Sequence, residues 1–340
     1  MARTIVPSEL LQSTNRNIKI GDTALDSVDT TSPDTAADNV AIGNAALTAN
    51  ISGNENVAIG SYALDASTSG ERNTVVGDKA ASAATIASRN IVIGHDALAT
   101  DDVGDRTTAI GDSALYSQNS DSNNENTGNT AVGYAAGYFN VTGTQNTLIG
   151  NETGLGASGN SYSNNTFVGY IAGTANTTGS QNTVVGEGAF KTNTTGNHNT
   201  AIGRSALLSA TTADYNTAVG SGAMDTTSTG YQNVAVGYKA MDANTTGNSN
   251  VAVGYNALDA NSTGAANTGI GHNSLGANTT ANNNTAVGAY TLEDNTTGTA
   301  NVAVGAGALK NNTTAHNNTA MGLDALMTNS TGDTNVAIGK

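Results

Sequence analysis

The chain has 340 residues, among them 41 glycines, 2 prolines, no cysteine and no tryptophan, and its 12 Lys and Arg face 27 Asp and Glu for a net charge of -15. Charged residues make up 11% and aromatic residues 4%, too few large side chains for a thick globular core. Disorder, a glycine-rich flexible polymer and a thin repetitive solenoid remain. The acidic balance opposes a nucleic-acid groove, which needs clustered Lys and Arg against phosphates. The lack of cysteine removes disulfides, thiolate catalysis and sulfur-ligated zinc.

In chain order, Met1 to Arg16 come first, with Pro7 and the apolar pair Leu10 and Leu11. They read as a cap on the first coil of a repeat domain or as an attachment segment, and the two roles can coexist. No long apolar run marks an export signal here, and no stretch approaches 18 apolar residues, so membrane insertion is not expected.

From residue 17 to 340 a motif of the form Asn-Thr-Ala-(Val/Ile)-Gly recurs, and its nineteen glycines run from Gly21 to Gly339. Fifteen of the eighteen gaps are 17 residues, two are 22 (Gly21 to Gly43 and Gly111 to Gly133) and one is 19 (Gly150 to Gly169). The flanking columns continue across the long gaps. Insertions near 26–38, 116–128 and 155–165 are therefore expected to bulge from one corner while the ladders resume in register.

The columns are as regular as the spacing. Ile or Val precedes 18 of the 19 glycines, and Asn stands four before 18 of them, Thr107 being the exception. After the glycine, Ala comes at the third position in 15 of 18 units and Leu at the fourth in 11. A second small residue comes ten after it, as at Gly53 and Gly247. β-Branched residues mixed with Asn and Gly disfavour a helix, and each unit reads as strand, turn, strand, turn.

Such short strands are stable only if each unit closes one coil on which the next stacks, at roughly 4.8 Å per coil. The expected fold is an all-β parallel β-solenoid of about nineteen coils, extending over roughly 85 to 90 Å. Ile59 and Leu64, Ile202 and Leu207, and Val253 and Leu258 are expected to lie in interior ladders. Asn56, Asn199 and Asn250 would fix a corner, and Gly60, Gly203 and Gly254 would relieve a backbone constraint there. Alanines two before the glycine, such as Ala58 and Ala201, fall in the opposite phase. They would form an outer strip of small residues that a second copy could bury in a closed assembly, although periodicity does not distinguish two subunits from three.

The motifs Asn56 to Gly60, Asn199 to Gly203, Asn250 to Gly254 and Asn335 to Gly339 resemble the head repeats of trimeric autotransporter adhesins (YadA-like heads) and repeat regions of phage tail fibres. The resemblance spans residues 17 to 340 and implies a left-handed β-roll, an elongated homotrimer and surface attachment. The 17-residue period departs from the shorter adhesin repeat, and no export signal, stalk heptads or membrane-anchor barrel accompany it. Those departures favour a phage fibre, a family in which a self-cleaving C-terminal chaperone often trimerises the shaft.

The histidines His95, His198, His272 and His316 have no HxH or HxxxH spacing, and the calcium-binding glycine-aspartate signature is missing. Neither an enzyme, a metal nor a cofactor is expected. Tyr134, Tyr138, Phe139, Tyr162 and Tyr170 cluster near the insertions, in the least regular coils, and are the candidates for receptor contact. The leading expectation is a rigid trimeric shaft at the virion surface, outside cells, joined to other virion proteins at a terminus. It would mediate or space attachment to a host glycan or protein. The alternative is a coat or decoration protein of a virion or extracellular filament that binds no receptor. Ice binding through Thr pairs such as Thr194-Thr195 is a third class, with no thermal hysteresis expected.

Overall fold

The computed structural model describes residues 15–28, 35–122 and 125–340. The expected cap or attachment segment up to residue 14, residues 29–34 of the first insertion and residues 123–124 of the second lie outside the described residues. Each named strand has three residues, and the chain divides into two compact units.

The first unit, Met1–Val168, carries β1 (Ile18–Ile20), β2 (Val40–Ile42), β3 (Val57–Ile59), β4 (Thr74–Val76), β5 (Ile91–Ile93), β6 (Thr108–Ile110), β7 (Thr130–Val132), β8 (Thr147–Ile149) and β9 (Thr166–Val168). The second, Gly169–Lys340, carries β10 (Thr183–Val185), β11 (Thr200–Ile202), β12 (Thr217–Val219), β13 (Val234–Val236), β14 (Val251–Val253), β15 (Thr268–Ile270), β16 (Thr285–Val287), β17 (Val302–Val304), β18 (Thr319–Met321) and β19 (Val336–Ile338).

Within each unit every strand pairs in parallel with the next, motif against motif. Val57, Ala58 and Ile59 of β3 partner Thr74, Val75 and Val76 of β4, and Val234, Ala235 and Val236 of β13 partner Val251, Ala252 and Val253 of β14. Each unit is thus a parallel β-solenoid with one coil per repeat. The long intervals keep register: Ile18 pairs with Val40, Thr108 with Thr130 and Thr147 with Thr166. Single bridges from Asp105 to Asn126 and from Asn140 to Asn160 tie the second and third insertions to the coil before each.

Two sequence expectations are corrected. The first concerns the second strand of each coil, which does not form among the described residues. After Gly60 the chain turns through Tyr62 (φ 55) and Leu64 (φ 52), both left-handed, with Ala63 between them. A strand would send neighbouring side chains to opposite faces. The left-handed residues instead let adjacent Ala63 and Leu64 both point inward, at 0% and 1% exposure. Left-handed backbone costs a non-glycine residue about 1–2 kcal/mol. Bonds between coils offset it, with Tyr62 N–H donating to Asn44 O (2.9 Å) and Leu64 N–H to Ala80 O (3.0 Å).

The second correction is the phase of the strand. The alternation is real, but the interior takes the middle residue: Ala41, Ala58, Ala201, Ala218 and Ala252 are all completely buried. Ile59, Ile202 and Val253 lie on the outside and are partly exposed, Ile202 to 39%. In the coil at Gly60 one alanine from the strand and one Ala-Leu pair from the turn lie inside, and in other coils Val75, Val92 and Val184 take the same single inward strand position. The opposite phase would turn two β-branched flanking side chains per strand into an interior that takes one.

The motif glycine is obligatory for two reasons that coincide. Gly254 has φ +140, and a Cβ built on it would lie 2.5 Å from the carbonyl oxygen of Gly271 in the next coil. The asparagine corner is a hydrogen-bonded ladder. Asn250 N–H donates to Asn233 Oδ1 (3.0 Å), and its Nδ2 donates to Asn233 Oδ1 (3.2 Å) and to Gly264 O (2.8 Å). Asn56 and Asn199 repeat this: their Nδ2 atoms donate to Gly70 O (2.8 Å) and Ala213 O (2.7 Å).

A second buried ladder, seven residues after the motif glycine, escaped the sequence reading. Asn261 Nδ2 donates to Asn244 Oδ1 (3.1 Å) and Asn278 Nδ2 to Asn261 Oδ1 (2.8 Å). The two ladders flank the second small residue of each coil, so buried backbone polar groups there find partners without water.

Candidate functional site

The first unit bears an aromatic cleft of about 310 Å³, lined by Tyr134, Ala135, Tyr138, Phe139, Glu152 and Leu155. Tyr134 directly follows the motif glycine Gly133 and is 53% exposed, its carbonyl accepting the Glu152 N–H from the next coil (2.9 Å). Tyr138 and Phe139 stand five and six residues after the same glycine, where the chain leaves the inward turn. Solenoid stacking then lines up like positions. Tyr116, five after Gly111, lies parallel to Tyr138 with ring centroids 4.9 Å apart, and Phe139 meets Tyr138 edge-on at 4.6 Å. Burial raises the Tyr138 phenol above its ordinary pKa, so at neutral pH it is an uncharged donor.

Three of the five candidate contact residues, Tyr134, Tyr138 and Phe139, therefore share one cleft. Tyr162 does not. It is completely buried, with its hydroxyl bonded to the Gly154 carbonyl, and so cannot meet a receptor. Tyr170 is exposed on the second unit, where its carbonyl accepts the Gly188 N–H. Tyr116, Glu152 and Leu155 were overlooked in the sequence. Two of them carried a usable signal, because Tyr116 and Leu155 occupy the same column as Tyr138, five after the glycine.

A second surface runs along the strands. Residues flanking the buried alanine face outward, so each unit presents a ribbon of Thr, Val and Ile that includes Ile91, Ile93 and Ile149 in the first unit and Val185, Ile202 and Ile270 in the second. The outer strip of alanines expected from sequence does not form, because Ala58, Ala201 and their equivalents lie inside, and this ribbon stands on the surface instead. Thr194 and Thr245, the first members of two pairs, donate their hydroxyls to carbonyls of the next coil at 2.9 Å.

The histidines make separate local contacts. His95 Nε2 lies 3.5 Å from Asp96 and its Nδ1 3.7 Å from Asp112. His198 stacks on Tyr215, His272 lies against Tyr255 and Tyr290, and His316 Nδ1 accepts the Thr299 N–H at 3.0 Å. Among the described residues no group of three or more His, Asp or Glu is placed to hold a metal ion, and no helix is long and apolar enough to cross a membrane. No protein-family model matches the chain, and no curated protein matches it.

Proposed function

We propose that this chain is a non-enzymatic shaft segment of a phage tail fibre or related surface adhesin. It acts as a homotrimer at the virion surface, outside cells, joins other virion proteins at a terminus, and mediates or spaces attachment to a host surface. The observation that carries this reading is the outward ribbon of Ile, Val and Thr, repeated in register from coil to coil. Burial of such a ribbon contributes about 25 cal/mol per Å², and a closed symmetric assembly satisfies it without open-ended polymerisation. The resemblance of the Asn-x-Ala-(Val/Ile)-Gly motifs to trimeric adhesin heads and phage fibres supports three copies. The aromatic cleft, formed by Tyr134, Tyr138 and Phe139 in the turn that follows β7, is left for receptor contact.

Analytical ultracentrifugation of the full chain tests the assembly: three chain masses are expected, and a stable monomer at micromolar concentration would overturn it. Adsorption of the labelled chain to host cells tests the attachment. Tyr134→Ala with Tyr138→Ala is expected to lower adsorption while the trimer persists. Normal adsorption together with failed particle assembly would favour the coat or decoration role.

A further inference from the structure

The second unit carries its own aromatic array on the corner that follows the motif glycines. Tyr238 and Tyr255 stack with centroids 5.3 Å apart and planes 19° apart. Tyr255 meets His272 at 5.2 Å, His272 meets Tyr290 at 4.9 Å, and Lys310 Nζ stands 5.4 Å from the centre of the Tyr290 ring. Four rings in four successive coils thus brace one another. The inner rings, Tyr255 and His272, each contact a ring on both sides. Tyr238 is different because the preceding coil has Ser221 at its position, so the face turned away from Tyr255 has no ring against it.

On that side the surface sinks into a hollow of about 230 Å³, walled by Arg204, Ser221, Gly222, Asp225, Tyr238 and Lys239. Gly222 opens it. Its φ of +67 does not by itself demand glycine, since Tyr62, Ser205, Lys239 and Asn256 occupy the same column at φ 50 to 57. A Cβ on Gly222 would find only Lys239 Cγ at 3.4 Å and Asp242 Oδ1 at 4.0 Å, which is ordinary contact. The glycine therefore leaves space that neighbouring coils fill with a side chain.

The charges around the hollow are balanced towards the acidic side. Arg204 lies 3.8 Å from Glu187, Lys239 lies 3.2 Å from Asp242, and Asp225 adds a third carboxylate. With Glu187 and Asp242 holding the two cations, three carboxylates face two positive charges, which disfavours an anionic ligand such as a nucleotide stacked on the ring. A purely apolar ligand would strip water from Arg204, Asp225 and Lys239 without replacing their hydrogen bonds. The combination that fits has one apolar face for the tyrosine and a rim of uncharged hydroxyls that both donate and accept.

We propose that this hollow is a subsite for one uncharged hexose of a surface polysaccharide, with the C–H face of the pyranose on Tyr238 and its hydroxyls bonded by Arg204, Asp225 and Lys239. The proposal rests on the attachment reading above and deepens it by naming the ligand class. Because the ladder behind Tyr238 holds its ring in place, little ordering remains to be done on binding.

The test is titration of the full chain with maltohexaose, cellohexaose and mannohexaose, read by calorimetry and by saturation-transfer NMR. At least one is expected to bind with a Kd below about 10 mM, a weak affinity suited to repeated contacts. Tyr238→Ala is expected to weaken binding at least about tenfold, the equivalent of 1.4 kcal/mol. Tyr238→Phe keeps the stacking face and should stay within about threefold. Gly222→Asn, which tolerates the left-handed backbone, fills the hollow and should match the Tyr238→Ala loss with an unchanged circular dichroism spectrum. Binding of none of the three sugars, or equal binding by Tyr238→Ala, overturns the subsite. Cell adsorption measured in parallel separates the two readings: sugar binding without adsorption supports the subsite and counts against attachment. Adsorption with no sugar binding overturns the subsite alone.

Discussion

The coils near the third insertion of the first unit and the even coils of the second unit close the same ring with different side chains. In the regular coil at Gly254, buried Ala252 on the strand faces buried Leu258 in the turn. In the irregular coil at Gly150 the sizes are exchanged, with Leu148 on the strand and Gly154 in the turn, both inside. A Cβ on Gly154 would lie 2.8 Å from the Tyr162 hydroxyl and 3.0 Å from Leu148 Cδ2, and one on Gly137 would lie 2.7 Å from Leu148 Cδ1. Tyr162 enters from the insertion and fills the space that the turn leucines vacate. In this coil the core volume is made up from other positions, the strand and the insertion supplying what the turn lacks.

The buried ladders differ as well. In the second unit Ala210 and Thr227 interrupt the column seven after the motif glycine, and the inner ladder then runs unbroken from Asn244 through Asn261, Asn278 and Asn295 to Asn312, all buried. In the first unit Ser67, Ala84, Asp101 and Gln118 stand in that column, and Ser67 Oγ, Asp101 Oδ2 and Gln118 Nε2 are buried without a partner. Asp101 Oδ1 accepts from Gly104 N–H (3.2 Å) and Ser120 N–H (3.1 Å). Its other oxygen takes the place where an asparagine such as Asn140 donates to Gly143 O (2.9 Å).

The largest effect should be shared by both units. Gly60→Ala and Gly254→Ala each meet the next coil's backbone at positive φ, and each should cost roughly 3–5 kcal/mol in urea unfolding, from strain plus overpacking. A tolerated alanine at either position would show that the tight coil is wrong.

Next, Gly154→Leu restores the regular turn residue but collides with Tyr162 and Leu148, and should cost about 2–3 kcal/mol. Adding Tyr162→Ala should recover part of that loss. Two penalties that simply add would refute the exchange of volume between positions.

The smallest effect concerns protons. Burial raises the Asp101 pKa above 3.8, so the folded state holds its proton more tightly than the unfolded chain. The associated stability is fully present below the unfolded value and is lost as pH rises through the raised folded value. Asp101→Asn supplies the missing donor, and should add about 1–2 kcal/mol at pH 7 and little at pH 3. Equal gains at both pH values would contradict a buried acid out of place in an amide ladder.

Much of the fold was legible because a solenoid writes its contacts into the sequence. Residues one coil apart are neighbours, so the period, the parallel register and the Asn56, Asn199 and Asn250 corner could all be read from column regularity. The candidate site was legible in part. Tyr134, Tyr138 and Phe139 stood out as aromatic residues in a chain with few of them, yet Tyr162 looked the same by that criterion and lies inside. Nothing in its immediate sequence separates a tyrosine that plugs a glycine-lined gap from one that faces solvent.

The amino-acid sequence alone determined the repeat length, the strand alternation and the survival of register across the insertions, since each follows from spacing along the chain. Which side of the alternation is interior was decided only when the coil closed. The space enclosed by the left-handed turn at Tyr62 and Leu64 takes Ala58, Ala63 and Leu64 and turns Ile59 outward. A period of two marks two faces equally well, and only the volume between opposing walls tells which face a side chain can occupy.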